Sequence, residues 1–565
     1  MLTEKKKQHY LTIDVELDEV FIPEDFNQEH EMIKDLVEKF VVKDVRPSLD
    51  KIENQQYHET VRLMKEAGTL GLISADIPEA IGGLGLGKIS ATIISEKIAP
   101  ARSFSITFGG QTGIGALPIA YFGAEKQKDK YLPAILTGDL ITAYALTEAG
   151  AGTDAMNIKT TAIPSECNRF YILNGEKQWI SNAGFADLFI VFAKVKGDRF
   201  TAFILEKDFN GVSIGPEEKK MGLKGSSTCS LILDNVKVPK ENIIGEIGRG
   251  HVIALNVLNL GRHKISATSL GAAKHAIELA VTYANQRKQF GQSLSSFPFI
   301  KNKLADMVIK TYVNESAIYR TAGLLEKSFN QLADQEDVAP TISNLAVECS
   351  INKVMSTETL DFVVDEALQI HGGYGYMAEY EIETLYRDSR ITRIFEGTNE
   401  INRLNIASTL FKTYEKPIEQ TKAQEGILIQ EKQTLHLLKK LYHAMIFSIQ
   451  KYDLILLNDE QEVAAFLADL VSCIYAIESA ILRTEKVIKL SGIERNQQKI
   501  DYTILYTHEQ SQQLAIRALN LLLHIGDEES LSQLACRLVR SSQKDLVKVK
   551  RRIADIIIKE EKYRS

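Results

Sequence analysis

Apolar residues recur at helical spacing from about residue 29 to residue 137. The stretch 30–37 carries Met32, Ile33, Leu36 and Val37 in the rhythm of an amphipathic helix, and 124–133 reads as a helix that ends before Pro133. Between about Ile141 and Val238 the period shortens. Runs such as 188–192, 200–205 and 229–233 are short and β-branched or aromatic, which predicts strands, and Asn174-Gly175 between two such runs is a type I′ hairpin signal. Helical periodicity returns near Gly250 and continues to about Lys412, with long segments at 270–290 and 299–327. Beyond Pro417 there is no further proline, and Gly426, Gly492 and Gly526 are the only glycines, which predicts a separate helical domain. The pattern divides the chain into an N-terminal extension (1–28), an N-terminal helical domain (29–140), a middle β domain (141–245), a helical bundle (246–412) and a C-terminal helical domain (413–565). The expected fold class is mainly α with an inserted β domain.

Composition narrows the functional classes. At 565 residues the chain exceeds what one core usually serves, and its 44% hydrophobic content is ample for burying large ligands. A formal net charge of −7 gives no reason to expect nucleic acid as the main partner. Cys167, Cys229, Cys349, Cys473 and Cys536 are scattered, without CxxC pairs or histidines at ligand spacing, so no metal site is expected and the thiols read as reduced, in a cytoplasmic setting. The basic start is followed by Asp14, Glu16, Asp18 and Glu19, which fits neither a secretory signal nor a transit peptide. The best membrane-span candidate, 463–482, is interrupted by Asp469 and Glu478 and is expected to be a buried helix. From Ile418 onward 21 Lys and Arg stand against 20 Asp and Glu. Within that tail Arg537, Arg540, Lys544, Lys548, Arg551 and Arg552 fall opposite Leu538, Leu546, Val549 and Ile553. This is either a solvated face or a basic amphipathic helix that meets an anionic membrane or a partner.

The candidate chemistry centres on Arg393-Ile394-Phe395-Glu396-Gly397-Thr398-Asn399-Glu400. A carboxylate between an aromatic residue and a glycine is a candidate general base: the ring excludes water and raises the pKa, and Gly397 lets a flat ligand approach. A solvated acid at a helix start is the other reading of the same residues. Upstream, Thr147 and Ser181 carry hydroxyls on either side of the aromatic Trp179 in the sequence. Trp179 is the only tryptophan and reads on its own as core packing. No GxGxxG follows a strand, so a Rossmann-type nucleotide site is not expected.

Taken together the chain resembles the acyl-CoA dehydrogenase family. The matching segments are Tyr144-Ala145-Leu146-Thr147-Glu148-Ala149-Gly150-Ala151-Gly152-Thr153-Asp154, Asn174-Gly175-Glu176-Lys177-Gln178-Trp179-Ile180-Ser181-Asn182-Ala183-Gly184, Arg287-Lys288-Gln289-Phe290-Gly291, Gln369-Ile370-His371-Gly372-Gly373-Tyr374-Gly375, and the Glu396 motif. They occur in the family's order across roughly residues 30–412. The resemblance implies a helical domain, a β-barrel-like middle domain and a helical bundle. It implies FAD as cofactor, contacted by Tyr144, Leu146, Thr147, Gly152, Thr153, Trp179, Ser181, Gln369, Gly372, Gly373, Thr398 and Glu400, with Arg287, Gln289 and Phe290 reaching across a subunit interface. Glu396 becomes the base that takes the α-proton of an acyl-CoA, with Thr153, Arg262 and Gly397 near the substrate. In isolation Arg262 would be a structural salt bridge, Arg287 a surface charge and the glycine pair a turn. Some branches place the base on the helix that here carries Gly261, which cannot act as one; that absence favours Glu396.

Asn259-Leu260-Gly261-Arg262, the run 217–224 and the Glu396 motif look most like the very-long-chain branch. That branch implies a homodimer, an electron-transferring flavoprotein as acceptor, a role in fatty-acid β-oxidation, and peripheral contact at the inner face of a membrane through the C-terminal domain. The run 109–115 is rich in small residues and would leave room for a long acyl chain; it would otherwise be a loop. Two alternatives remain. An acyl-CoA oxidase would pass electrons to oxygen, and a non-enzymatic scaffold on the same fold would be expected to lack the base.

Overall fold

A computed structural model describes residues 9–12, 15–332, 337–414, 426–451, 459–525, 530–539 and 544–564. In the N-terminal helical domain, helix α1 (Gln28–Phe40) buries Ile33, Val37 and Phe40 along one stripe, and Asn27 caps it by accepting from the His30 N–H at 2.8 Å. Helix α2 (Gly87–Lys97) is buried along almost its whole length. Helix α3 (Ser103–Gly110) continues directly into a π-helical turn, Gln111–Gly115. The small-residue run is therefore helical, not a loop. The helix Glu125–Leu136 passes through Pro133 instead of stopping before it. The expected boundary fails because Leu132, Ile135 and Leu136 are buried, and their packing holds the last turn despite the missing donor.

The middle domain is built from β1 (Thr142–Ala145), β2 (Thr161–Pro164), β3 (Phe170–Ser181), β4 (Leu188–Val195), β5 (Arg199–Glu206), β6 (Val212–Ile214), β7 (Thr228–Pro239) and β8 (Ile243–Ile244). They form one sheet in the order β6-β7-β3-β2-β4-β5-β8, with β1 added parallel to β4. Asn174-Gly175 is not a hairpin turn: it lies inside β3, where the register against β7 shifts between Leu173 and Gly175. The glycine serves close approach instead, because a Cβ there would sit 2.5 Å from Thr160 Oγ1. A second shift, between Lys177 and Ile180, puts Trp179 on a bulge with φ +58.

The bundle consists of α4 (Gly250–Gln286), α5 (Pro298–Phe329), α6 (Ala346–His371) and α7 (Asn399–Lys412). The C-terminal domain contributes α8 (Ile429–Lys451), α9 (Gln461–Ser491), α10 (Gln497–Ile525) and α11 (Leu546–Glu560). α9 is long and apolar enough to cross a bilayer, yet it is buried inside the protein against α5 and α7, as the two interrupting acids suggested. The basic stretch of the tail is not one exposed amphipathic helix. In α11 the apolar side, Val549, Ile553 and Ile557, packs into the core beside α5; Arg552 pairs with Asp501 at 2.6 Å and Lys550 with Asp306 at 2.6 Å. Residues 540–543, including Arg540, lie outside the described residues.

A chain of buried charges fastens these parts together. The Arg483 guanidinium, with no exposed surface, donates to Glu24 at 2.8 and 2.9 Å and to Glu315 at 2.7 Å, so it joins the N-terminal extension, the bundle and α9. Lys274 on α4 bridges Glu315 and, at 2.9 Å, Glu96 on α2, while the Tyr563 hydroxyl donates to Glu315 at 2.9 Å. Burial alone would raise the Glu315 carboxyl, but the Lys274 and Arg483 cations outweigh it and hold the group well below its usual range. Arg483→Ala takes a buried cation from Glu315, leaving it Lys274 alone, and from Glu24, leaving it Lys499. It is expected to destabilise the protein by about 3–5 kcal/mol in chemical denaturation.

Candidate active site

Glu396 stands in the connection between a 3₁₀ turn (Arg390–Arg393) and α7. Its backbone is left-handed, φ +56, and Gly397 follows at φ +81. Glycine adopts this conformation freely, whereas for glutamate it is strained by roughly 1–2 kcal/mol and needs outside support. Buried donors supply it. Arg262 Nε donates to the Glu396 carbonyl at 3.0 Å, and Lys353 Nζ and Asn402 Nδ2 each donate to the Gly397 carbonyl at 2.8 Å. Thr398 then caps α7, accepting from the Ile401 N–H at 3.3 Å.

The turn directs the Glu396 carboxylate onto α4 at Gly261. A Cβ built at position 261 would stand 3.3 Å from both carboxylate oxygens. The residue as a whole is half-buried, but Oε2 is shut off from solvent and has no hydrogen-bond partner within the chain. Burial pushes the pKa up to about 7, against the opposing pull of Arg262 and Lys353. The Tyr144 hydroxyl at the end of β1 is another enclosed, unpartnered group; burial and then the Glu396 charge raise it well above its usual range. Two orphaned polar atoms facing an enclosed site mark where a ligand's polar atoms belong. Glu400, by contrast, is the solvated helix-start acid: exposed, and held below its usual range first by a backbone hydrogen bond.

The remaining candidates fall into two groups. Leu146 and Thr147 continue from β1 beside β3, where the Gln178 N–H donates to the Thr147 carbonyl at 2.9 Å. Thr147 and Ser181 are half-exposed, and the bulge leaves Trp179 58% exposed, so its indole is not core packing. Gly152 and Thr153 are exposed in the loop beyond. Beneath that loop Lys177 is fully buried, donating to Glu148 Oε1 at 2.7 Å and to the Leu146 carbonyl at 3.2 Å, and Glu148 also accepts from the Thr160 N–H at 3.0 Å. The second group lies at the far end of α4. Arg287, Gln289 and Phe290 sit on or beside a small hairpin (Lys288–Gln289 with Gln292–Ser293), Phe290 being 93% exposed. Arg287 lies over the ring of Tyr374 at 5.5 Å, next to the turn that begins Gly372-Gly373 after the exposed Gln369. Nothing within this chain lies within 4 Å of a Cβ built on Gly372 or Gly373.

Arg262 is buried under the Glu396 turn, with Nε on the Glu396 carbonyl and Nη1 on Asn259 Oδ1 at 2.7 Å, so within the chain it braces that turn. The sequence reading missed Lys353, Asn402 and the Glu148–Lys177 pair. Their one signal is polar residues on buried faces, Asn352, Lys353, Ser356 and Thr357 on α6 among them.

Hydroxyls beside an exposed indole, open glycine backbone, an arginine beside it and an enclosed carboxyl near neutrality fit a flavin dinucleotide; together with the three-part fold they define a flavoprotein oxidoreductase. Comparison with known proteins then identifies the family. Models of the acyl-CoA dehydrogenase N-terminal, middle and C-terminal domains match residues 27–139, 143–236 and 248–411, and a further acyl-CoA dehydrogenase C-terminal domain matches 438–538. A probable acyl-CoA dehydrogenase of Bacillus subtilis is 48% identical over 98% of both chains. The human very long-chain specific mitochondrial enzyme is 38% identical over 69% of this chain and 59% of its own. The crystal structure of a Bacillus anthracis acyl-CoA dehydrogenase complexed with FAD superposes with a TM-score of 0.96 at 47% identity, over 99% of this chain and 100% of that one. The chain belongs to the acyl-CoA dehydrogenase family, and its cofactor is FAD.

The Glu148–Lys177 pair gives a test of the flavin site. Glu148→Ala leaves Lys177 buried without its counter-charge and releases the loop that carries Thr147 and Thr153. FAD content, read from the 450 nm to 280 nm absorbance ratio, is expected to fall by at least half while far-UV circular dichroism stays near wild type.

Proposed function

We propose that this enzyme dehydrogenates long-chain acyl-CoA thioesters to trans-2-enoyl-CoA in fatty-acid β-oxidation, with Glu396 as the α-proton acceptor. The observation that carries this reading is the enclosed, unpartnered Glu396 carboxylate with its pKa near 7. A base of that strength is about half ionised at neutral pH, and burial strengthens its attraction for a proton. The backbone N–H of Glu396 would polarise the thioester carbonyl and acidify the α-carbon, while Arg262 and Lys353 hold the turn still. FAD, when bound, supplies the hydride acceptor at flavin N5 for the β-carbon.

The long-chain preference rests on α4. Gly261, Ile265, Thr268 and Ala272 recur on one face, and the last three line a cavity with Ile106, Leu360 and Leu385. From Gly261 to Ala272 the helix rises about 16 Å, and the cavity, whose lining also includes Arg102, Asp388 and Ser389, lies along its later turns. On α3 a Cβ at Gly109 would meet open space. The exposed hairpin of Arg287 and Phe290 supports a homodimer in which it reaches a second copy. The family resemblance supports an electron-transferring flavoprotein as acceptor; peroxide release without added acceptor would indicate an oxidase instead. The outward side of α11, with Lys548, Arg551 and Lys559, is the face that would meet an anionic membrane from the cytoplasm.

Anaerobic bleaching of the flavin by saturated acyl-CoAs of increasing length tests the reading: long chains are expected to bleach it. Glu396→Gln should retain FAD and lose about 10²- to 10⁴-fold in rate, and normal bleaching by that variant would overturn the assignment. Because the base must be unprotonated, the wild-type rate is expected to fall as pH drops below about 7. Ser269→Phe fills the cavity, where the buried Ser269 hydroxyl has no partner. It should lower kcat/KM for the longest substrates roughly tenfold or more and leave short ones unchanged.

A further inference from the structure

The residues that hold the catalytic turn are not equivalent. Arg262 and Asn402 reach it from α4 and α7, but Lys353 comes from α6 and is wholly buried. Its Nζ donates to the Gly397 carbonyl at 2.8 Å and to Asn399 Oδ1 at 2.7 Å. Asn399 is itself fixed, its Nδ2 donating to Thr357 Oγ1 and Glu358 Oε1, each at 3.1 Å. The ammonium therefore connects the residue after the base to the first residue of α7 and, through Asn399, to its own helix. A lysine placed there loses its hydration, and no carboxylate lies within ion-pair distance of it among the described residues. A structural brace alone would be served by a neutral donor, as Asn402 shows on the same carbonyl.

We propose that Lys353 is a positioning residue for the dehydrogenation, a buried cation that locks the left-handed turn and favours the ionised form of Glu396. The inference rests on Glu396 being the base. The charges that face Lys353 are, on α4, Arg262; on the turn and α7, Glu396 and Glu400; and on α6 itself, Glu358. Glu358 is already neutralised by Arg403, which grips both its oxygens at 2.8 and 2.9 Å, and Glu400 is exposed. Arg262 repels the ammonium. Glu396 is left as the carboxylate without a neutralising partner. Burial draws the Lys353 pKa down to about 7, with Glu396 the largest opposing influence, and Lys353 in turn lowers Glu396. The two groups thus titrate as a linked pair, the charged state of each favouring that of the other.

The pH dependence of flavin reduction by a saturated long-chain acyl-CoA, measured by anaerobic stopped flow on FAD-loaded enzyme, separates this role from a structural one. Lys353→Met removes donor and charge; Lys353→Gln keeps an N–H donor and removes only the charge. Both are expected to move the acidic limb upward by about one pH unit or more, because the carboxylate loses a favourable cation. Lys353→Arg should restore the limb. Asn402→Ala, which removes an uncharged donor from the same carbonyl, should lower the rate without moving the limb. If Lys353→Met does not accumulate as a flavoprotein, the Gln variant decides. An unmoved limb in a folded, FAD-loaded Lys353→Gln enzyme overturns the inference even when Glu396→Gln abolishes bleaching. Bleaching by Glu396→Gln overturns instead the reading on which it rests.

Discussion

A carboxylate taken out of water without a hydrogen-bond partner is among the least favourable groups a protein can hold, and the architecture around Glu396 is arranged to hold one. The side chain hangs over a glycine on α4, in a backbone conformation that glutamate resists, and the surrounding donors grip the carbonyls of the turn while leaving Oε2 free. A direct salt bridge to the carboxylate would relieve the desolvation but would also depress the pKa and weaken the base. Cations placed behind the turn act on the same group more gently. The result is a carboxyl whose pKa burial pushes up to about 7, the range the proposed proton abstraction at physiological pH would need.

The C-terminal domain takes part in the same support. Arg403 on α7 joins Glu358 on α6 to Asp469 on α9, the last contact at 2.7 Å, so the helix that begins just after Glu396 is tied to the added domain. The Arg483 network fastens that domain to α2, α4, α5 and the N-terminal extension. The extra helices are thus continuous with the bundle through buried and part-buried ion pairs, which disfavour any displacement that would separate the charges. The buried Tyr312 and Tyr319 and the half-buried Tyr563 pack around the Glu315 pairs and shield them from water.

Much of this was legible before any coordinates. Periodicity separated helix from strand, the proline-free tail read correctly as helical, and Glu396 read as either a base or a helix-start acid until the family resemblance of its motif and of those with Trp179 and Thr147 implied a flavin. The failures share a cause. Asn174-Gly175 and Pro133 each carry a strong local signal that tertiary contact overrides: a close approach at Thr160, and buried Ile135 and Leu136 past the proline. Lys353 and Arg262 were opaque for a different reason. Nothing in the spacing of a lysine 43 residues upstream, or an arginine 134 upstream, says which carbonyl it will meet. Only the crossing of α4, α6 and the turn brings them together.

Gly261 has a meaning beyond making room. Since a side chain built there would begin 3.3 Å from the Glu396 oxygens, the two positions deliver to one point in space although 135 residues separate them in the chain. A carboxylate at both would place like charges in contact, so the fold admits one acid at that point and fixes its location while leaving its address in the sequence open. Two substitutions, one at each position, would move the acid from the turn to α4 and leave its carboxylate at the same place.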